Sequence, residues 1–304
     1  MTEPQSSTQA DFEDLVVPLL FDGAARAAEP VLIVLVGQAG AGSAPAGRLA
    51  ESMWPNQRFV TITGNELAAM RPEWDTAVQE PFTAAARTQP GVEQWIDRAL
   101  DHGREHRVSM VLDGASQDPA VVIGRVQQCA AAGYLVHVVA MAVPSPVSRL
   151  RDAARFYVQQ ALGGPGRWVG TREHDLAYTQ TPMTVAAAQV TEQVQRLTVI
   201  DQNGAVLSDE HREAAGGQWA SAPTAAQSMV ESRWKRPSPE SANRWLTAHR
   251  LVLDIANQNG HNPATRETFG RLGTEATWTF ESMTHPGSGV PPVLPMNPRF
   301  GPAQ

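Results

Sequence analysis

Apolar residues along this chain follow two rhythms. Short unbroken or alternating runs occur at 31–36 (VLIVLV), 59–63 (FVTIT), 108–112 (VSMVL), 135–143 (LVHVVAMAV) and 197–200 (LTVI). They are rich in β-branched residues, and the first four are closed by glycine, aspartate or proline, which marks buried strands. The last run leads through Asp201-Gln202-Asn203-Gly204 into Ala205-Val206-Leu207 and reads as a final strand with its turn. Between the runs the apolar positions recur at helical spacing. Helices are predicted from Ala44 to Met53, with Pro45 tolerated in the first turn, and from Glu66 onward. The segment Glu73 to His106, carrying Trp74, Phe82, Val92, Trp95, Ile96 and Leu100, reads as two or three helices with the two tryptophans in the core. Val121 to Ala132 stops at Gly133, a good residue to end a helix, and Pro146 to Leu162 is helical and arginine-rich.

Strand and helix alternating through 31–207 predict an α/β fold, a parallel sheet flanked by helices. Ligands of such sheets sit beyond the carboxyl ends of the strands, so the loops after Gly37, Thr63, Leu112 and Val143 share one crevice. The rest of the chain divides by composition. Residues 1–29 form an acidic, helical lead-in, and 30–207 the sheet domain. A helical and loop extension follows at 208–284, with one clear helix from Ala242 to Asn257. The Pro/Gly-rich stretch 285–304 reads as a flexible tail.

Composition narrows the partners. A net charge of −7 argues against a nucleic-acid partner. No apolar run has the length of a membrane span, and the polar, acidic N-terminus lacks the layout of a signal peptide. The single cysteine, Cys129, lies in an alanine-rich helical stretch and reads as an inert buried thiol in a reducing, cytoplasmic setting. Lys235 is the chain's only lysine.

The candidate chemistry begins where the first strand ends. Gly37, Gln38, Ala39, Gly40, Ala41, Gly42, Ser43 and Ala44 follow the phosphate-loop template G-x-x-x-x-G-K-[ST] in its glycines. Strand, glycine loop and helix let backbone N–H groups and a helix N-terminus surround phosphate without a side chain. The template fails at its charged end, with Ser43 in the lysine position and Ala44 in that of the magnesium-binding hydroxyl. A tight structural turn is the competing reading.

Asn65-Glu66 follow the second strand, Asp113-Gly114-Ala115-Ser116 the third and AAGYLVHVVAMAVP spans the fourth; beyond lie Ser148, Arg155-Phe156, Arg167 and His174-Asp175. With the loop GQAGAG, this series resembles the zeta-toxin family of bacterial toxin–antitoxin systems over about residues 30–207. The resemblance implies a P-loop NTPase-like fold and a kinase that uses ATP and magnesium to phosphorylate UDP-N-acetylglucosamine. It implies nucleotide and nucleotide-sugar ligands and an antitoxin-like protein partner.

Residue by residue, the resemblance puts 37–44 on the nucleotide phosphates and Asn65 in place of an aspartate base. It puts Asp113 at an acidic position, Glu66, Ala115 and Ser116 at the substrate, and Arg155 and Arg167 at two phosphate-clamping arginines. Ala115 lacks the family's threonine hydroxyl, which Ser116 is placed to replace in part. An amide cannot accept a proton at neutral pH, so Asn65 can orient a hydroxyl but not deprotonate it.

Plainer readings stand beside these. Asn65 suits a helix cap, Asp113 a turn, Arg155 with Arg151 a solvated helix face, Arg167 an unpaired loop residue, and His174-Asp175 a local contact. Ser43, Ala44 and Asn65 together imply that phosphoryl transfer is weak or lost. The alternative is a non-catalytic pseudokinase that binds a nucleotide, a nucleotide sugar or a protein.

Overall fold

The computed structural model describes residues 11–74, 79–114, 118–164, 166–212, 217–259 and 262–284. The chain forms two compact units, Met1–Arg233 and Trp234–Gln304. The first is built on a six-stranded sheet of β1 (Val31–Val36), β2 (Phe59–Thr63), β3 (Ser109–Asp113), β4 (Leu135–Ala142), β5 (Arg196–Asp201) and β6 (Val206–His211), in spatial order β2-β3-β1-β4-β5-β6. The first five strands run parallel; β6 folds back antiparallel on β5. Asp201 makes that reversal by accepting from the backbone N–H groups of Asn203 (2.8 Å) and Ala205 (2.9 Å), with Gly204 at φ 83°. The final strand therefore continues past Leu207, to His211.

All six side chains of β1 are buried, because helices cover both faces of the sheet. Leu32, Val34 and Val36 join one core, and Val31, Ile33 and Leu35 the other, as the two-residue period of a strand requires. The crossovers are α2 (Ser43–Ser52), α3 (Gly64–Ala69), α4 (Ala84–His106), α5 (Pro119–Ala131), α6 (Ser145–Ala161) and α7 (Thr171–Val190). Within Glu73 to His106, where the sequence predicts two or three helices, the described residues include one helix of 23 residues over 84–106, and residues 75–78 lie outside them. Trp95 lies fully buried in the larger core and Trp74 packs partly buried against it. Cys129 is a buried free thiol there, its pKa pushed up by burial. The short lead-in, Phe12–Val16 and α1 (Val17–Phe21), adds Phe12, Val16 and Phe21 to the same core.

After β6 comes α8 (Ala225–Trp234). Its start is fixed by Glu210 of β6, whose Oε1 accepts from the Ala225 N–H at 2.7 Å and from the Thr224 N–H, occupying donors that a helix N-terminus leaves open. The second unit pairs α9 (Pro239–Gln258) with α10 (Pro263–Thr284). Ser238 caps α9 by accepting from the Ser241 N–H at 3.2 Å. Among the described residues no helix is long and apolar enough to cross a membrane.

Candidate functional site

The site is assembled at the carboxyl ends of β1, β2 and β3. Beyond Val36 the chain turns through Gly40 (φ 76°) and Gly42 (φ 94°), both in the left-handed region that glycine adopts without strain. Gly42 is the residue on which α2 begins, so the loop delivers the open N–H groups of a helix start into the crevice. Gly40 is also required by space. A Cβ there would lie 2.0 Å from the carbonyl oxygen of Ser148 on α6.

Gln38 is buried and anchors the loop from behind. Its Nε2 donates to Val143 O (2.9 Å) and Ser148 Oγ (3.0 Å), and its Oε1 accepts from Arg233 Nη2 (2.7 Å). Ser148 Oγ lies 2.9 Å from His174 Nε2, while Asp175 accepts from Arg149 at 2.5 Å. His174-Asp175 thus tie α7 to α6 and to the loop. Burial holds His174 below the usual histidine pKa.

In front of the loop, the Ser43 side chain faces the carboxyl group of Asp113 at the end of β3. Burial pushes the Asp113 pKa up; the Ser43 hydroxyl and the charge of Arg155 oppose that rise, and the charge of Glu66 adds to it. Thr63, paired with Asp113 in the sheet, caps α3 by accepting from the Glu66 N–H at 3.1 Å. The cap role that asparagine favours therefore falls to Thr63, which leaves the exposed Asn65 side chain to face another partner. That partner is Arg167, whose Nη1 donates to Asn65 Oδ1 at 2.7 Å.

Arg155 donates to Asp152 one turn back on α6. Asp152 is buried, which raises its pKa to about 6 against the pull of Arg155 and Arg167. Arg167 has its pKa lowered by burial, with Arg155 reinforcing the effect. Each arginine precedes a buried aromatic, Phe156 and Trp168, and these two rings meet edge to face with centroids 5.0 Å apart. Phe82 closes the cluster, 5.7 Å from Phe156 and 5.8 Å from Trp168. The two guanidinium groups are thus carried on a common apolar anchor.

Ser43, Asp113, Glu66, Asn65, Arg155 and Arg167 therefore share one neighbourhood at the mouth of the loop. Ala44 is exposed on the first turn of α2, and Ala115 and Ser116 lie outside the described residues. Arg151, one turn before Arg155, turns away to donate to Gln202 O at 3.2 Å. A backbone cradle with two arginines and a carboxyl group suits a phosphate-bearing ligand.

A family model for zeta toxin matches residues 20–213, more than half of the chain. The chain belongs to the zeta-toxin family. Among solved structures, one from the PezAT chromosomal toxin–antitoxin system of the human pathogen Streptococcus pneumoniae is similar at 15% identity, covering 84% of this chain and 98% of that one, with a TM-score of 0.67. The AvrRxo1-ORF1:-ORF2 complex with ATP is similar at 11% identity, covering 89% of this chain and 86% of that one, with a TM-score of 0.51. At these identities both likenesses show a shared fold rather than a shared activity. No curated protein matches by sequence.

Two features of this zeta-toxin site escape the sequence. Asp152 stands three residues before Arg155 on the arginine-rich helix, so their spacing marks the pair, but nothing in it marks the burial that raises the Asp152 pKa. Arg233 lies beyond the family-matched segment, and no motif points to it.

Proposed function

We propose that this zeta-toxin-family protein binds a nucleoside triphosphate, ATP, on its glycine loop, and that its phosphoryl transfer to a nucleotide-sugar hydroxyl is weak or lost. The observation that carries this reading is the hydrogen bond from Arg167 to Asn65. It supports a crevice that keeps a guanidinium for phosphate while an amide stands where a proton acceptor is needed. Loss of one preorganised electrostatic group typically costs about 3–4 kcal/mol of transition-state stabilisation, and lysine, hydroxyl and base are all replaced here.

The residues present fit magnesium only modestly. Among the described residues no group of three or more His, Cys, Asp or Glu side chains gathers as a metal site. The Asp113 carboxyl group and the Ser43 hydroxyl facing it are the hard oxygens that would hold the ion, with ligand phosphates completing its shell. Magnesium would supply charge neutralisation at the phosphates. Within the chain, the loop N–H groups bind and orient the phosphates, Arg155 and Arg167 offset their charge, and Asn65 orients an acceptor hydroxyl without taking its proton.

Calorimetric titration with magnesium and ATP, in parallel with UDP-N-acetylglucosamine, tests the binding half. A phosphoryl-transfer assay over a nucleotide-sugar panel tests the other half. Binding without turnover is expected; no binding of ATP, or turnover at the rate of an intact kinase, contradicts the proposal. The likeness to a toxin–antitoxin system supports an antitoxin-like protein partner as a second role.

A further inference from the structure

Arg233 is the last residue of the first unit and is 5% exposed. Its hydrogen-bond and ring partners among the described residues are uncharged, and its charge adds to burial in holding nearby His174 below the usual histidine pKa. Nη2 donates to Gln38 Oε1 at 2.7 Å, Nη1 donates to the Tyr178 carbonyl oxygen at 2.5 Å, and the guanidinium carbon lies 4.0 Å from the centroid of the Tyr178 ring. Nε has no hydrogen-bond partner. Among the described residues no carboxylate pairs with this cation, and burial alone draws its pKa down to about 10, so it stays charged at neutral pH.

A buried cation without a counter-charge is unfavourable unless something anionic comes near it. Here the cation touches the second residue of the glycine loop, whose other side offers backbone N–H groups to a phosphate. The loop itself contains no charged residue, because Ser43 stands in the lysine position. A fixed positive charge behind a cradle of N–H dipoles, in a poorly solvated position, acts on an anion in the cradle with little screening. The placement is built in, since Glu210 fixes the start of α8 and Arg233 closes its last turn.

We infer that Arg233 is a positioning residue for the glycine loop, holding Gln38 and supplying from behind the loop part of the positive charge that the missing lysine would bring to a polyphosphate ligand. This rests on the nucleotide-binding reading above. It also gives the segment beyond the family-matched residues a part in the site.

The test is calorimetric titration of ATP, ADP, AMP and inorganic tripolyphosphate into the full chain, its Arg233→Lys variant, and two neutral variants. Arg233→Gln keeps a donor for Gln38, and Arg233→Met keeps bulk alone. If charge is what matters, both neutral variants lose affinity in order of ligand charge, about tenfold or more for ATP and tripolyphosphate and about threefold or less for AMP, while Arg233→Lys stays near the parent. A purely structural strut would weaken all ligands by one common factor, and that result overturns the inference. So does unchanged ATP binding in either neutral variant while the parent binds, which leaves the nucleotide-binding reading intact. A parent chain that binds none of the four ligands fails both readings together. Having two neutral variants keeps the comparison available if one of them does not fold.

Discussion

Arg167 donates from Nη1 to Asn65 Oδ1 at 2.7 Å, across 102 positions of sequence. The bond joins the loop after α6 to the start of α3 and brings an amide and a cation together at the crevice mouth. Asn65→Asp would turn it into a charge-assisted bond, roughly twice as strong as a neutral one, at a partly exposed site. The expected gain is about 0.5–1 kcal/mol at pH 7. A carboxyl group beside Arg167 would titrate below its unfolded value. The gain is therefore present above the unfolded pKa and lost as pH falls through the folded one. Urea unfolding at pH 7 and pH 3 checks this; a variant no more stable than the parent at pH 7 contradicts it.

The same bond limits what one reversion can achieve catalytically. A carboxylate held by Arg167 is a weakened base, and the loop would still lack its cation. Asn65→Asp alone is expected to leave phosphoryl transfer near the parent level. Ser43→Lys, Ala44→Thr and Asn65→Asp together should raise it by about a hundredfold or more, because groups that act as a unit restore rate only jointly. Transfer of radiolabelled phosphate to UDP-N-acetylglucosamine is the readout, and a triple variant that binds ATP but matches the parent rate counts against the assigned positions.

Two loop glycines should differ sharply in their tolerance of alanine. At Gly42 the added Cβ meets only Pro45 Cγ, at 3.6 Å, so the cost is the left-handed backbone alone, about 1–2 kcal/mol. At Gly40 the Cβ also drives into the Ser148 carbonyl oxygen, so α6 or the loop must move. Gly40→Ala is expected to destabilise by about 3 kcal/mol or more. Thermal unfolding of the two variants side by side should rank Gly40→Ala lower; equal midpoints would mean the loop can withdraw from α6.

Replacing Trp168 by alanine removes a fully buried ring that meets Phe82, Phe156 and Tyr157, with an expected loss of about 3–5 kcal/mol. Because Arg167 is the preceding residue, ATP affinity should fall as well. Trp168→Phe, which keeps most of the cluster, should retain both within about 2 kcal/mol. Loss of stability in Trp168→Ala with no change in ATP affinity would detach the cluster from the arginine.

Acid response should carry two opposed signatures. His137 is buried between Trp54 Nε1 (3.1 Å) and Thr198 Oγ1 (2.8 Å), and burial lowers its pKa to about 3 from 6.5. The unfolded chain binds that proton first. The His137 contribution is therefore complete above 6.5 and is lost as pH falls towards 3, by at most about 1.4 kcal/mol per pH unit. Asp152, raised from 3.8 to about 6, has the reverse sign, because the folded chain binds its proton first. Stability from that group rises as pH falls between about 6 and 4. Subtracting the His137→Gln profile from the parent should leave a falling curve towards acid, and subtracting Asp152→Asn a rising one. Curves of the same slope would contradict both assignments.

The sheet is legible because its central strands are buried on both faces, so Val31–Val36 and Leu135–Ala142 are almost unbroken apolar runs with one sheltered histidine. Helix α7 is not. Its buried face includes Thr171, His174, Ala177, Thr181 and Thr184 as well as Val185 and Ala188, and such a face draws no apolar stripe. Thr181 satisfies its hydroxyl on the Ala177 carbonyl at 2.7 Å, which lets it sit inside. The glycine loop was read from its spacing and its strand. The burial of Asp152 and the contact of Arg233 with Gln38 follow from tertiary packing and leave no periodic trace, whereas the three-residue spacing of Asp152 and Arg155 is readable on the helix. Arg151 shows the limit of helical spacing as a guide: four residues from Arg155, its guanidinium is drawn instead to the carbonyl of Gln202.

The close approach of Gly40 to the Ser148 carbonyl changes how the surviving glycines should be weighed. Only a hydrogen atom fits in that gap, and the helix on its far side also carries Arg155. Selection for a stably folded chain would therefore keep the loop's outline even after selection for phosphate chemistry had relaxed. In lineages of this kind the glycines record architecture, and the charged positions around them are the better register of whether a kinase is still at work.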